Sequence, residues 1–110
     1  MMTYTMAETE LVSDERLVGL TLEGDRDAFG QIVARYQSPI CALAYSACGS
    51  ITRSEDLAQE VFVAAWRRLR ELRDPARLKS WLYAIARNLI KEAGELDHLS
   101  RFIPIPEESR

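Results

Sequence analysis

The stretch TRSEDLAQEVFVAAWRRLREL, Thr52 to Leu72, constrains the fold more than any other part of the chain. Leu57, Ala58, Val61, Phe62, Ala65, Trp66, Leu69 and Leu72 recur at helical spacing and fall on one broad apolar face. Thr52, with Glu55 three residues on, makes a capping-box pattern for the amino end. Asp56, Gln59, Glu60, Val63, Arg67 and Arg70 fall on the opposite side. That stripe is acidic at its start, apolar at Val63 and basic at its end, whereas a plainly solvated face interleaves its charges. Two readings stay open on this pattern. One is an ordinary solvent-exposed amphipathic helix. The other is a helix that packs a core on one side and presents a partner surface on the other.

The remaining periodicity is also helical. A short helix is expected over about residues 14–22, with Leu17, Val18, Leu20 and Leu22 apolar and Gly24 ending it. Asp25 or Asp27 can cap the next helix, where Phe29, Ile32, Val33 and Tyr36 recur. Pro39 interrupts, but Ile40, Leu43, Ala44 and Ala47 carry the stripe on to Gly49, a suitable carboxyl-terminal cap. One kinked helix is favoured over two. Arg73-Asp74-Pro75 breaks the pattern after Leu72. In LKSWLYAIARNLIKEA, Leu78, Leu82, Ile85, Ala86, Leu89 and Ala93 then share a face, with Trp81 at its edge. Ser80, Tyr83, Ala84, Arg87 and Lys91 lie opposite, Asn88 lies at the boundary, and Gly94 marks a stop. No segment keeps a strand period. The expectation is an all-α, compact bundle of about four helices over residues 13–94. Residues 1–12 read as a flexible lead-in. Residues 95–110, with Pro104 and Pro106, read as an extended tail or the start of a linker.

At 110 residues, 47% hydrophobic and 28% charged, the chain suits one ordinary globular domain. No apolar run approaches the ~20 residues that span a bilayer, and MMTYTMAETELV lacks a basic segment followed by an apolar one. A cytoplasmic location without a membrane span is expected. Cys41 and Cys48, if on one helix, stand ~10 Å apart along its axis. That is too far for a disulfide, so they read as small, wholly or partly buried thiols. One histidine, His98, and no Cys/His cluster argue against a structural metal or cofactor. The net charge of −3 hides an asymmetry: −6 over residues 1–60, +6 over 61–91 and −3 over 92–110. A basic middle block suits phosphate backbones, and equally suits the acidic first half of the same fold.

Catalytic patterns are missing. The glycines are scattered singly, no nucleophile–histidine set stands out, and Glu55, Asp56 and Glu60 cluster where helix-dipole chemistry explains them. A non-enzyme is expected. LRELRDPARLKSWLY is more informative. Arg70, Arg73, Arg77 and Lys79 stand beside Trp81 and Tyr83, the combination single-stranded nucleic acid requires: cations for phosphates, rings for unstacked bases. Trp81 flanks the apolar face and is assigned to the core. Tyr83, Arg87 and Lys91, on the outer face, are balanced between solvation and strand contact.

DAFGQIVARYQSPI, then SEDLAQEVFVAAWRRL, then LKSWLYAIARNLI, in this order and across about residues 14–91, resembles region 2 of the extracytoplasmic-function sigma factors of bacterial RNA polymerase. The resemblance implies that the helix over residues 53–72 docks on the clamp coiled coil of the polymerase largest subunit. Asp56, Gln59, Glu60 and Val63, supported by Arg67, would be its contacts. It also implies that the following loop and helix recognise and open the promoter −10 element. The loop from Arg70 through Arg73 and Arg77 to Lys79 would hold an extruded non-template-strand base. Tyr83, Arg87, Asn88 and Lys91 would contact the strand and its backbone. Opening of this kind is selective binding of the melted state, with stacking and phosphate contacts offsetting an unpairing cost of a few kcal/mol. Where the family continues with a basic cluster, this chain has Glu92, Gly94, Glu95 and Asp97. It ends in FIPIPEESR, where a linker to a −35-reading domain is expected. The alternative function is an interaction-only sigma-like domain that binds polymerase or an anti-sigma factor without productive DNA binding.

Overall fold

The computed structural model describes residues 12–94, which form an all-α bundle of four helices. Helix α1 spans Asp14–Leu22, α2 Arg26–Cys48, α3 Ile51–Arg68 and α4 Leu78–Glu92. Two short 3-10 turns, Leu69–Glu71 and Pro75–Arg77, connect α3 to α4. The expected tail, with Pro104, Pro106 and His98, and all of the lead-in but Val12 lie outside the described residues. Val12 itself packs against the core.

Helices α1, α2 and α3 each begin where a side chain satisfies a free amide, whereas α4 follows its 3-10 turn without a side-chain cap. Ser13 Oγ accepts from Arg16 N at 3.1 Å, and Asp25 Oδ1 accepts from Ala28 N at 3.2 Å. The start of α3 corrects the sequence reading. Ser50, not Thr52, is the cap, its Oγ accepting from Arg53 N at 3.1 Å. Gly49 turns the chain just before it at φ +70°, a left-handed conformation that most side chains resist, and its N–H closes α2 on the Tyr45 carbonyl at 2.8 Å. Ser50 is therefore the first extended residue after the turn.

Helix α2 runs through Pro39 as one element. A proline inside a helix removes one amide from the ladder and costs about 3 kcal/mol. Ile32, Tyr36 and Ile40, on the buried side around it, supply the apolar burial that offsets this. The main core gathers Leu17 and Val18 of α1, Ile32 and Ile40 of α2, Val61, Phe62 and Ala65 of α3, and Leu78, Leu82 and Ile85 of α4. A second cluster at the other end joins Ala44 and Ala47 to Leu57 and Ile90. Ile90 is a core position that the sequence face omitted.

Three further readings change. The α-helix ends at Arg68 rather than continuing regularly to Leu72, because the chain tightens into a 3-10 turn that still buries Leu69. Trp66, placed on the apolar face, is 45% exposed. Tyr83, placed on the outer face, is half-buried and packs on the core. Cys41 and Cys48 are free and half-buried, as their spacing implied.

Candidate functional site

The outer stripe of α3 forms one shallow surface groove. Asp56, Gln59, Glu60, Val63 and Arg67 all line it, joined by Arg53, Ala64 and Leu89 of α4. The geometry follows from helix repeat: residues three and four apart stack on one side, so the five side chains are neighbours without any loop to hold them. Val63 is 49% exposed at the middle of this surface, an apolar contact flanked by carboxylates on one side and Arg67 on the other. Sequence reasoning passed over Arg53, although it stands three residues before Asp56 on the same stripe. Leu89 reaches the groove only because α4 packs against α3.

A second groove lies on α4 and the turn before it. Arg77, Lys79, Tyr83 and Arg87 line it with Ala76 and Ser80. Lys79, Tyr83 and Arg87 follow one another at four-residue steps along α4, which brings them to one face. Asp74 organises the turn, its Oδ1 accepting from Ala76 N at 3.1 Å and its Oδ2 standing 3.7 Å from Arg77 Nε. Both partners of that pair are mostly exposed, so the pair is weak and Arg77 can exchange it for another anion. Arg73, Asn88 and Lys91 are exposed but do not line this groove. Arg70 lies elsewhere, in a third groove with Arg26, Trp66 and Arg67. Of the eight residues first grouped together, four line the α4 groove, Arg70 lines another, and Arg73, Asn88 and Lys91 line neither. Trp81 is half-buried against the core.

Behind the basic face, α1 is fastened to α2 by a three-residue network. Arg35 Nη1 donates to Asp14 Oδ1 at 2.8 Å, and the Tyr36 hydroxyl donates to Asp14 Oδ2. Tyr36 is only 8% exposed. Its burial, followed by its hydrogen bond to Asp14 and the Asp14 charge, holds its phenol well above the ordinary tyrosine range; Arg35 pulls the other way, and nearby Tyr83 adds slightly. Cys41 is also pushed up, first by burial and then by Glu55, so its thiol stays protonated and is a poor nucleophile. Among the described residues no group of three or more His, Cys, Asp or Glu side chains is placed to hold a metal, and no helix is long and apolar enough to cross a membrane.

Comparison with known proteins gives a consistent result. The family model Sigma-70 region 2 matches residues 32–94. A probable RNA polymerase sigma factor, RfaY, of Xanthomonas campestris is 41% identical over 69 residues, 63% of this chain and 17% of the relative. The ECF RNA polymerase sigma factor SigW of Bacillus subtilis is 39% identical over 67 residues, 61% of this chain and 36% of its own length. The ECF RNA polymerase sigma-E factor of Escherichia coli K12 is 35% identical over 85 residues, 76% of this chain and 43% of that protein. The chain therefore spans less than half the length of these relatives. No solved structure matches it. The matched span takes in most of α2, the whole of α3 with its outer stripe, the basic loop and α4, and on that span the chain belongs to the Sigma-70 region 2 family, in the branch of the extracytoplasmic-function sigma factors.

Proposed function

We propose that this chain is a transcription-initiation domain that binds core RNA polymerase through the outer stripe of α3 and recognises and opens the promoter −10 element through the loop and outer face of α4. One arrangement carries the reading: a mixed charged and apolar groove on α3, and a separate basic groove with a tyrosine on α4, meet in one small bundle. Asp56, Gln59, Glu60, Val63 and Arg67 form the polymerase-facing surface, on the clamp coiled coil of the largest subunit. Arg77, Lys79, Tyr83 and Arg87 track the non-template strand, with Arg70, Arg73, Asn88 and Lys91 on its approaches. No bond is made or broken. The domain works by binding the opened strand more tightly than the duplex, so that its contacts offset the loss of pairing and stacking. Residues 13–94 are the working unit, and the site of action is the cytoplasm.

An interaction-only role, with polymerase or an anti-sigma factor as partner, is favoured by one observation: exposed Glu92 closes α4 directly after Lys91, where the family pattern is basic. The two readings separate on binding. With core polymerase present, a −10 non-template oligonucleotide should bind better than a scrambled one, and Arg87→Ala with Lys91→Ala should weaken that binding while leaving polymerase capture intact. Equal binding of the two oligonucleotides rejects promoter recognition. Asp56→Ala with Gln59→Ala should reduce capture of core polymerase, and unchanged capture rejects the α3 surface.

A further inference from the structure

The third groove shares Arg67 with the polymerase-facing stripe and Arg70 with the −10 loop, and adds Arg26 and Trp66, which neither surface uses. It lies where the α1–α2 turn meets the end of α3, with a volume of about 530 Å3, and is lined by Thr21, Leu22, Gly24, Arg26, Trp66, Arg67, Leu69 and Arg70. Three of the eight are arginines and none is acidic. Arg26 is the first residue of α2, Arg67 belongs to the last turn of α3, and Arg70 to the 3-10 turn that follows. Ion pairs among the described residues join Arg35 to Asp14, Arg68 to Glu71 and Arg77 to Asp74, and none of these involves an arginine of this groove. The side chains of Arg26, Arg67 and Arg70 have no hydrogen-bond or ion-pair partner among the described residues. The carboxylates Asp56 and Glu60 line the neighbouring groove that shares Arg67, and none lines this one. Three guanidiniums around one groove repel one another, and an anion placed among them relieves that repulsion.

Trp66 indicates which anion. Its ring is held edge-on by Phe29, with centroids 5.1 Å apart and planes at 67°, yet nearly half of the residue stays exposed. It stands as the wall between this groove and the apolar one beside Phe29 and Val33. A fixed, open indole next to unpaired guanidiniums suits a nucleotide, whose base or sugar lies on the ring while its phosphate takes the cations. An acidic peptide uses the charges alone.

The location also fits a strand. Both 3-10 turns pack against α1, so the loop that carries Arg70 at one end and Arg77 at the other is drawn along that helix. Arg70 and Arg77 are seven residues apart, which limits their separation to ~25 Å. A single strand advances at least ~3.4 Å per phosphate, the rise of one strand in a duplex, so it crosses that distance in about seven nucleotides or fewer.

We propose that Arg26, Arg67 and Arg70, with Trp66, form a second phosphate-and-base site for single-stranded nucleic acid, about seven nucleotides or fewer along the strand from the α4 groove. The site rests on the nucleic-acid reading of α4 and extends it. Arg67 then sits on the ridge between the polymerase-facing groove and this one.

The test measures fluorescence anisotropy of a labelled single strand of about 14 nucleotides, long enough to reach both sites, with the whole chain between about 50 and 200 mM salt. Arg26 is the diagnostic position, because it lines only this groove. Arg26→Ala should weaken binding several-fold and flatten the dependence of log K on log salt by about 0.7, the value for one single-strand phosphate. Arg26→Ala with Arg70→Ala should flatten it by about 1.4. Arg26→Lys should restore the slope, which repair of a folding defect would not. Unchanged affinity and slope in Arg26→Ala, with the parent chain still binding, overturns this site and leaves the α4 reading standing. Displacement of the strand by an oligoglutamate peptide of equal charge, at equal concentration, also overturns it, in favour of an acidic protein surface. Failure of the parent chain to bind the strand at all removes both.

Discussion

Replacing Asp14 tests how α1 is held, and the cost can be worked from the geometry. Asp14 gives one oxygen to Arg35 and the other to the hydroxyl of Tyr36, which is nearly buried. In Asp14→Ala that hydroxyl loses its acceptor without gaining water, at about 1–3 kcal/mol. The Arg35 pair, with side chains 21% and 22% exposed, adds about 1 kcal/mol. The lost acid in the first turn of α1 adds about 0.3–1 kcal/mol. The total is about 3 kcal/mol, or a melting temperature lower by about 15 °C for a domain of this size. Tyr36→Phe removes the donor as well as the bond and should cost only about 1 kcal/mol. The double variant should then cost less than the sum of the two by about 1–2 kcal/mol, since the orphaned hydroxyl is gone. Urea unfolding of the four proteins, followed by far-ultraviolet circular dichroism, measures this directly. Additivity to within about 0.5 kcal/mol would refute the argument, because it would mean that the hydroxyl and carboxylate do not depend on each other.

Two further outcomes follow from the same physical reasoning. Unfolded tyrosine ionises near pH 10, while folded Tyr36 holds its proton well above that, so the folded state binds more protons as pH rises past 10 and its advantage is lost there; the melting temperature should fall more steeply above pH 10 in the parent than in Tyr36→Phe, and parallel curves would contradict the assignment. Ser50→Ala should lower stability by about 1 kcal/mol while Thr52→Ala changes it by less than about 0.5 kcal/mol, read from urea midpoints, and the reverse order would restore Thr52 as the cap.

Much of the fold was legible because helical periodicity reports burial directly. Leu57, Ala58, Val61, Phe62 and Ala65 were placed on the buried face of α3 and are buried. The cap of α3 was misread because Ser50 and Thr52 both suit a cap, and only Thr52 has an acid, Glu55, three residues on to complete a capping-box pattern, whereas Ser50 is followed there by Arg53. Trp66 was misplaced for a tertiary reason: it sits at the edge of its helix face, and α1 and α2 cover only one side of it. Tyr83 moved inward because Tyr36 and the core lie next to it. The α3 stripe and the Lys79, Tyr83, Arg87 row are each contained in one helix, so helix repeat alone groups them. Arg26, Arg67 and Arg70 come from elements about forty residues apart in the chain, and only packing of the α1–α2 turn on the end of α3 unites them.

The loop between α3 and α4 begins after Leu69 and ends at Leu78, both buried, and two hydrogen-bonded 3-10 turns fill most of what lies between. Arg70, Arg73 and Arg77 project from a backbone whose freedom has already been lost in folding. A ligand that meets such a loop orders side chains only, at about 0.5–1.5 kcal/mol each, and no backbone. Any affinity of the proposed loop site is thus tied to two leucines buried in the core. Loosening either one would reach the ligand as an entropic penalty, with every cation still in place.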